Sequence, residues 1–322
     1  MSTSSSGPPE VRTPEVSRGR GSKTAPRAKL APMWLALAAV AVPRLAWACA
    51  SCGSGTGDPL VLYPNERGKI YLGIGQSLGR QPLTYTGSPG HGPGPTAQGM
   101  LTVAAGLAVT SRAFVTLTVG GIANDGPQSR QVGVADPSLA ARVTLLPERP
   151  ATPWQPQVQL AAGFRPGLAR STTAGTARRY DRMDSFGDGN FELRGGLDVW
   201  WGRLPVKVGL AGFFLAPLSR ELASGERSRT GVTYRLVATT GMDLGGSGRW
   251  VVSLLHDQQR DRLSEGRPVA LSGRRVLSLV TAVDLFLGSG KSLRMSAGRT
   301  ALALSRNATR DVHASLAFIQ AW

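Results

Sequence analysis

Apolar and polar residues alternate along most of the chain beyond residue 68. Near the start of this region, Ile70, Leu72 and Ile74 alternate with Tyr71 and Gly73. A period of two residues places the apolar side chains on one face of a β-strand, whereas an amphipathic helix repeats its apolar positions every three to four residues. The pattern therefore predicts strands that each have one apolar and one polar face.

Twelve segments with this alternation follow one another up to residue 322. The predicted strands are 69–77, 98–109, 114–122, 138–146, 155–164, 191–201, 205–216, 232–244, 249–256, 275–287, 292–303 and 311–322. Most of them are long enough to cross the apolar core of a bilayer, which takes about 9–11 residues of tilted strand. An even number of strands is typical of bacterial outer-membrane barrels.

The links between the predicted strands alternate in length. Short links follow every second strand, as at 110–113, 202–204 and 288–291, and long links follow the others, as at 78–97 and 165–190. Outer-membrane barrels have short turns at one end and long loops at the other. The long links 78–97 and 165–190 could fold inward as a plug or outward as a binding surface.

A membrane offers no water to the backbone, so every N–H and C=O group of a spanning segment must be paired within the protein. Strands meet this requirement only when their sheet closes on itself. We therefore predict an all-β protein in which residues 68–322 form an antiparallel transmembrane β-barrel of about twelve strands.

The last predicted strand carries a candidate insertion signal. Val312, Ala314, Leu316 and Phe318 share one face of this strand, and Trp322 lies on the same face. A terminal aromatic residue on an alternating strand is the feature that the barrel-assembly machinery of the outer membrane reads. Phe318 and Trp322 are therefore the predicted insertion signal.

The charge of the chain raises the question of a nucleic-acid partner. The net charge is +17, but seven of the Arg and Lys residues fall within residues 1–48 and the others are scattered. A nucleic-acid-binding protein would show a basic helix, a basic run with interleaved aromatics or a zinc-finger spacing. We expect no nucleic-acid partner, because a basic surface equally suits outer-membrane lipid and anionic lipopolysaccharide.

Residues 1–48 have the features of an export signal. A basic stretch rich in Ser and Pro precedes the short apolar run 33–42, and Ala46-Trp47-Ala48 offers a small-x-small cleavage site. The run is too short for a spanning helix, which takes about 20 residues. We predict a disordered n-region and a cleaved signal peptide, with export to the bacterial outer membrane. Translation from Met33 instead of Met1 is an alternative start.

Cleavage after Ala48 would leave a mature N-terminal segment, residues 49–67, that holds both cysteines of the chain, Cys49 and Cys52. A disulfide is one interpretation, because export places the thiols in an oxidising compartment. A metal or redox site is another, although no second Cys pair or nearby His completes it. Lipidation of Cys49 is the third. We predict no cofactor.

The polar faces of the predicted strands carry charges of both signs. The candidate lumen-lining residues are Arg142, Arg165, Glu192, Arg194, Asp198, Lys207, Arg235, Asp243 and Asp284. We favour an internal salt-bridge network that keeps the lumen solvated and rigid. The alternative is the selectivity lining of a conducting pore.

Two stretches resemble a known family. Residues 133–143 contain Gly133, Asp136 and Arg142 and resemble the Gly-x-Gly-Asp strand opening of the outer-membrane proteins grouped as the MetA-pathway-of-phenol-degradation family. Residues 160–167, with Arg165 and Gly167, resemble the next strand of that family, and a Gly/Asp loop follows at 184–193. The resemblance covers roughly residues 130–322. It implies a barrel that transports small hydrophobic or aromatic molecules, and it implies no catalytic residues.

Three functions fit such a barrel. We favour a passive channel or transporter for small solutes, hydrophobic ones included. The alternative is a structural or accessory barrel that works with a periplasmic redox or metal-handling partner through Cys49 and Cys52. An enzyme is the third, since His313 and Ser315 share a face as a base and a nucleophile would. No residue is identified to orient them, so we predict no enzymatic activity.

Overall fold

A computed structural model describes residues 60–62, 66–80, 95–125, 130–147, 155–169, 189–203, 205–221, 227–270, 272–305 and 310–322. The strands of these residues are β1 (Gly68–Arg80), β2 (Pro95–Thr110), β3 (Ala113–Asp125), β4 (Arg130–Val134), β5 (Ser138–Leu146), β6 (Gln157–Arg165), β7 (Glu192–Arg203), β8 (Val206–Pro217), β9 (Arg220–Glu221), β10 (Arg227–Arg229), β11 (Thr233–Asp243), β12 (Gly248–Gln259), β13 (Leu263–Ser264), β14 (Arg267–Pro268), β15 (Arg274–Gly288), β16 (Lys291–Ala303) and β17 (Arg310–Ala321). Within these ranges, no helix is long and apolar enough to cross a membrane.

Twelve of these strands close into a barrel. Each long strand pairs antiparallel with the long strands before and after it, and β1 pairs with β2 on one side and with β17 on the other. The predicted twelve-stranded antiparallel barrel is confirmed. Closure gives the backbone groups of every barrel strand partners on both sides, as a spanning sheet requires.

Every predicted segment coincides with a barrel strand. The prediction of 138–146 matches β5 residue for residue, whereas β1 runs three residues further than the predicted 69–77. The alternation finds the strands because the two environments on either side of the barrel wall impose it. Strand ends lie beyond those environments and carry a weaker signal.

Short strands lie in links that the sequence predicts as loops. β4 pairs with the far end of β3, next to the part that pairs with β5. β9, β10, β13 and β14 form a separate four-stranded sheet between the links at 217–231 and 257–274. The expectation of continuous loops is wrong here, because strands of two to five residues are too short to show an alternation.

The short turns share one end of the barrel, which we call the turn rim, and the long links share the other, the loop rim. Ser289 and Gly290 at the turn rim have φ angles of 50° and 74°, the left-handed conformation that a two-residue hairpin turn needs. Gly245 and Gly246 adopt it too, and both their N–H groups donate to Asp243 Oδ1, at 3.0 and 3.2 Å. The turn between β11 and β12 is thereby fixed by a side chain of the barrel wall.

The first and last strands are joined beyond their ladder. Trp322 N donates to Gly68 O at 3.0 Å, and Arg67 N donates to Trp322 O at 2.7 Å. The indole ring of Trp322 lies over Gly68, where a Cβ would overlap it. Trp322 therefore joins β1 to β17 at the point where the barrel closes. The role of Phe318 and Trp322 as an insertion signal stays a prediction.

Candidate functional site

The two faces of the barrel wall differ sharply in chemistry. In β5, Ala140, Arg142 and Thr144 are buried, whereas Val143 and Leu145, which alternate with them along the strand, are exposed. Because neighbouring residues of a strand point to opposite faces, the buried set faces the lumen and the exposed set faces outward. The same alternation holds along the other barrel strands.

The nine candidate lining residues all occupy inward-facing strand positions. Buried among them are Arg142, Glu192, Asp198, Lys207 and Asp284; partly buried are Arg165, Arg194, Arg235 and Asp243. The structure brings eight of these into ion pairs or in register with a partner of opposite charge, as described below. Lys207 lies near the turn rim, in register with Gly202 and Gly241.

Arg142 and Asp198 form the most deeply buried ion pair of the described residues. Arg142 Nη1 lies 2.5 Å from Asp198 Oδ2, and each side chain is 1% exposed. The pair reaches from β5 to β7 across the intervening β6, so it ties three strands together. Gln159 of β6 is buried beside it and donates to Thr144 Oγ1 at 3.3 Å.

Glu192 bridges two arginines nearer the loop rim. Its two carboxylate oxygens accept hydrogen bonds from Arg165 Nη2 at 2.9 Å and from Arg194 Nε at 2.8 Å. Arg165 faces Glu192 directly in the register of β6 and β7. The carboxylate is buried while both arginines are about one-fifth exposed, so the guanidinium groups form the solvent side of this cluster.

Two further pairs are bidentate and lie directly across a ladder. Arg235 donates to both oxygens of Asp257 at 2.7 and 2.9 Å, and Arg294 donates to both oxygens of Asp284 at 2.6 and 3.0 Å. A fork-to-fork geometry of this kind gives the strongest charge-assisted hydrogen bonds. These pairs fix side chains of the wall in one arrangement.

The sequence prediction missed several inward-facing charges. Arg249 lies in register with Asp243 on one side and Asp284 on the other, and Arg294 continues the row, so that signs alternate around β11, β12, β15 and β16. Lys69, Asp257 and Asp311 also face inward. Strand parity, counted from the apolar positions of each segment, would have found all of them.

A segment ahead of the first strand enters the lumen. Leu60 is 1% exposed and packs with Ala104, Ile319 and Tyr71, which are inward-facing residues of β2, β17 and β1. Val61 and Leu62 pack against Phe114 of β3. The segment 60–62 therefore lies against the inner wall formed by the first three strands and the last one. Its position was not predicted.

Two features of the wall hold this segment. Lys69 Nζ donates to Val61 O at 2.9 Å and pairs with Glu66 at 2.7 Å. Gly106 faces Leu62 so closely that a Cβ would lie 2.5 Å from its Cδ1 atom. The wall thus has a glycine where the leucine needs room and a lysine where a backbone carbonyl needs a donor.

The histidine and serine candidates lie on the inner face of β17, and each contacts a residue of β16. The Ser315 hydroxyl is hydrogen-bonded to the Ser296 hydroxyl at 2.6 Å. His313 lies in register with Ser77 on β1 and with Gly298 on β16, and its ring lies over Gly298. The pattern Gly-x-Ser-x-Gly at 75–79 lies within β1 and not at a strand-to-helix turn, where a nucleophile elbow would need it.

The two stretches that carry the family resemblance contact each other at the loop rim. Asp136 follows β4, and its Oδ1 atom accepts a hydrogen bond from Ala169 N, just after β6, at 2.6 Å. Gly167 has a φ of 64°, and a Cβ on it would lie 2.5 Å from the carbonyl carbon and oxygen of Asn190. The glycine therefore lets the end of β6 pass the start of β7.

We expect Gly167→Ala to reduce barrel stability by about 1–3 kcal/mol more than Gly245→Ala does, because overpacking against backbone adds to the strain of a positive φ. Gly245 is a matched control: its φ is 73°, but a Cβ there meets no atom within 4 Å. Denaturant unfolding of the refolded barrels measures both effects. Equal losses would mean that the contact with Asn190 has no energetic weight.

Several predictions fall outside the described residues. These include the signal peptide at 1–48, the Cys49 and Cys52 pair, and most of the long links at 78–97 and 165–190. Among the residues that are described, no group of three or more His, Cys, Asp or Glu side chains could hold a metal ion.

No protein-family model and no curated protein matches the chain by sequence. Among solved structures, the COG4313 outer membrane channel from Pseudomonas putida F1 matches with a TM-score of 0.64 at 13% identity, covering 83% of this chain and 98% of that one. The β-domain of the Bordetella autotransporter BrkA matches with a TM-score of 0.44 at 12% identity (80% and 100% covered). The translocator domain of NalP from Neisseria meningitidis matches with 0.42 at 11% (79% and 88% covered). The resemblance to the phenol-degradation family stays a prediction, and the first of these likenesses shows that the chain has the fold of an outer-membrane β-barrel.

Proposed function

We propose that this protein is an outer-membrane barrel that passes small solutes, without catalysis, between the cell exterior and the periplasm. The observation that carries the proposal is the division of the closed wall into an apolar outer face and a charged inner face. The long loops then lie outside the cell and the turn rim in the periplasm, the usual orientation of such barrels.

The outer face supports a location in a bilayer. Large apolar side chains are exposed around the whole barrel, among them Leu72, Leu101, Leu117, Leu160, Leu197, Leu210, Leu254, Leu279 and Leu316. Contiguous apolar surface of this extent is rare on soluble proteins. Aromatic residues border it: Phe164, Phe191, Phe214 and Tyr234 towards the loop rim, and Trp250, Phe318 and Trp322 towards the turn rim. Two such belts are typical of the two membrane interfaces.

The inner face supports passage of solutes rather than a dry core. Charged and amide side chains line the wall between the two rims, and most charges are balanced by a partner across one or two strands. Inward-facing Arg and Lys residues outnumber inward-facing Asp and Glu residues among those described. A slight excess of positive charge should favour anions over cations of equal size.

The nature of the solute is a finer proposal. The resemblance to the phenol-degradation family supports a small hydrophobic or aromatic molecule. Within the lumen, Leu60 packs on Ile319 and Leu62 packs on Phe114, and displacement of the segment 60–62 would uncover this apolar part of the inner wall beside the charged side chains. A molecule with an apolar body and one polar group would match both surfaces.

Conductance in planar bilayers tests the proposal. We expect the purified protein to give small single-channel steps, with a reversal potential displaced towards that of the anion in a potassium chloride gradient. Liposome swelling with small neutral solutes measures the passage of uncharged molecules. The double variant Cys49→Ser, Cys52→Ser should behave as the wild type, because the cysteines belong to the alternative, accessory function.

The segment 60–62 can occlude the lumen of the wild type, so the decisive sample is the variant Leu60→Asp, Leu62→Asp, in which this segment is displaced from the wall. A shift in gel mobility on heating shows that each protein is folded before the measurement. Absence of current and of swelling in both folded proteins would contradict the proposed function.

A further inference from the structure

Arginines on the outer surface gather on one sector of the barrel, near the loop rim. Arg299 of β16 lies directly between Leu279 of β15 and Val312 of β17 in the two ladders, and both neighbours are exposed outward-facing residues. Directly opposed residues of a ladder share a face. Arg299 therefore points outward and is exposed.

Three more arginines extend this group. Arg310 precedes Val312 by two residues, and Arg275 precedes the outward-facing Leu277 by two, so both are on the outer face, and both are exposed. Arg260 continues the ladder of β12, since its N–H donates to Val232 O at 2.9 Å. We call Arg260, Arg275, Arg299 and Arg310 the arginine patch.

The members of the patch are neighbours in pairs. Arg299 opposes Val312, so Arg310 is its diagonal neighbour, and Arg275 opposes Gln258, so Arg260 is its diagonal neighbour. Diagonal positions on a sheet face are roughly 7–8 Å apart, within reach of long side chains. Two guanidinium groups in each pair can therefore approach the same anion.

The patch differs from the lumen in having no carboxylate to balance it. In the lumen, Arg142, Arg165, Arg194, Arg235 and Arg294 all bind Asp or Glu. The described outward positions of β11, β12, β15, β16 and β17 include no Asp or Glu. Asp261, next to Arg260, accepts from Gly273 N at 2.6 Å.

The depth of the patch places it at a membrane interface. Leu254, Leu279 and Val312 are exposed, belong to the apolar belt and lie on the turn-rim side of Arg260, Arg275 and Arg310, whereas Arg299 is level with Leu279 and Val312 at the edge of that belt. Arg260 lies 5.5 Å from the centre of the Tyr234 ring, and Tyr234 is part of the loop-side aromatic border. Arginine is costly on the lipid face at the bilayer centre and nearly free of cost at the interface.

We propose that the arginine patch binds the phosphate groups of a lipopolysaccharide molecule in the outer leaflet. The inference rests on the proposed outer-membrane location and goes beyond it by assigning one sector of the wall to one lipid. Arginine recognises phosphate through paired, charge-assisted hydrogen bonds, and acyl chains below the phosphates would lie along the leucines of the belt. Outside the patch, on β3 and β4, outward Asp125 faces Arg130 in its ladder, so positive charge is offset there.

Binding of lipid A to the folded barrel tests this inference. The test variant is Arg275→Gln, Arg299→Gln, Arg310→Gln; Arg260 is kept because its removal would also remove the contact with Tyr234. The control variant is Arg67→Gln, Arg112→Gln, Lys291→Gln, which removes the same charge from exposed positions at the turn rim. Native mass spectrometry in detergent, with diphosphorylated lipid A as the probe, gives the bound fraction.

We expect the test variant to bind lipid A at least about tenfold more weakly than the wild type, and the control variant to bind as the wild type does. Lipid A that lacks its phosphates should bind the wild type and the test variant equally weakly. Equal losses in the two variants, or equal wild-type affinity for both forms of lipid A, would overturn the proposal. Phosphatidylglycerol that competes as well as lipid A would overturn it too, since any anionic lipid would then suffice.

Cell fractionation separates this inference from the proposed function. Wild-type protein found in the outer membrane, but with no difference between the two variants in lipid A binding, would overturn the patch alone. Protein absent from the outer membrane would overturn the location on which both proposals rest.

Discussion

Replacing Arg142 with methionine is expected to lower the free energy of unfolding by about 3–5 kcal/mol. The substitution leaves the Asp198 carboxylate, 1% exposed, without the guanidinium that lies 2.5 Å from it. A buried charge that loses its partner keeps its desolvation penalty and loses the attraction that offset it. Urea titration of the barrel refolded in phospholipid vesicles measures the loss.

Two further variants test the reason for this loss. Arg142→Met combined with Asp198→Leu should recover most of the stability, because a buried ion pair replaced by apolar side chains of similar volume is often nearly neutral. Arg235→Met should cost only about 1 kcal/mol, because Arg235 and Asp257 are partly exposed and water can replace the lost contact. A loss under 1 kcal/mol for Arg142→Met would mean that water reaches Asp198.

Replacing Leu60 and Leu62 together with aspartate is expected to raise the single-channel conductance several-fold. Both leucines are buried against the inner wall, Leu60 on Ala104 and Ile319, and Leu62 on Phe114. Carboxylates cannot stay in these apolar contacts without a large desolvation penalty, so the segment leaves the wall. Recordings in planar bilayers at equal salt on both sides measure the change.

Ser289→Asp is the control for this variant, because it adds a carboxylate at the same rim, in an exposed turn, without touching the segment. Its conductance should match that of the wild type. An unchanged conductance in Leu60→Asp, Leu62→Asp, with the segment released as judged by protease cleavage near residue 62, would mean that another part of the chain limits the current.

These two predictions assign different roles to the two kinds of residue in the lumen. The ion pairs belong to the wall, and their loss should destabilise the barrel. The segment 60–62 is joined to the wall by apolar contacts and by the Lys69 hydrogen bond to Val61 O. Its displacement should change transport and leave the barrel folded.

The sequence predicted the strands well because each barrel residue experiences one of two environments. Leu197, for example, is exposed on the outer face and its neighbour Asp198 is buried in the lumen, so hydrophobicity changes from one residue to the next along the strand. The prediction from sequence missed β9, β10, β13 and β14. These strands have only two or three residues and lie outside the barrel wall, so no contrast between two environments imposes an alternation on them.

The partners of the inward charges were beyond sequence reasoning. Arg142 and Asp198 are 56 residues apart and lie two strands apart in the sheet, so their contact depends on the registers of β5 with β6 and of β6 with β7. A shift of one register step would move every charge along its strand relative to its partner. Arg249, missed in the sequence, could have been found by counting parity.

What the sequence determined by itself is the number of barrel strands, their antiparallel order, and the face on which each charge lies, because alternation and link length are local properties. Only the tertiary structure decided which charges meet, that outward arginines gather on one sector, and that residues 60–62 occupy the lumen. The first two depend on the registers of strands that are neighbours along the chain. The third depends on closure of the ring, which brings β17 beside β1 and encloses a space that a short apolar segment can fill.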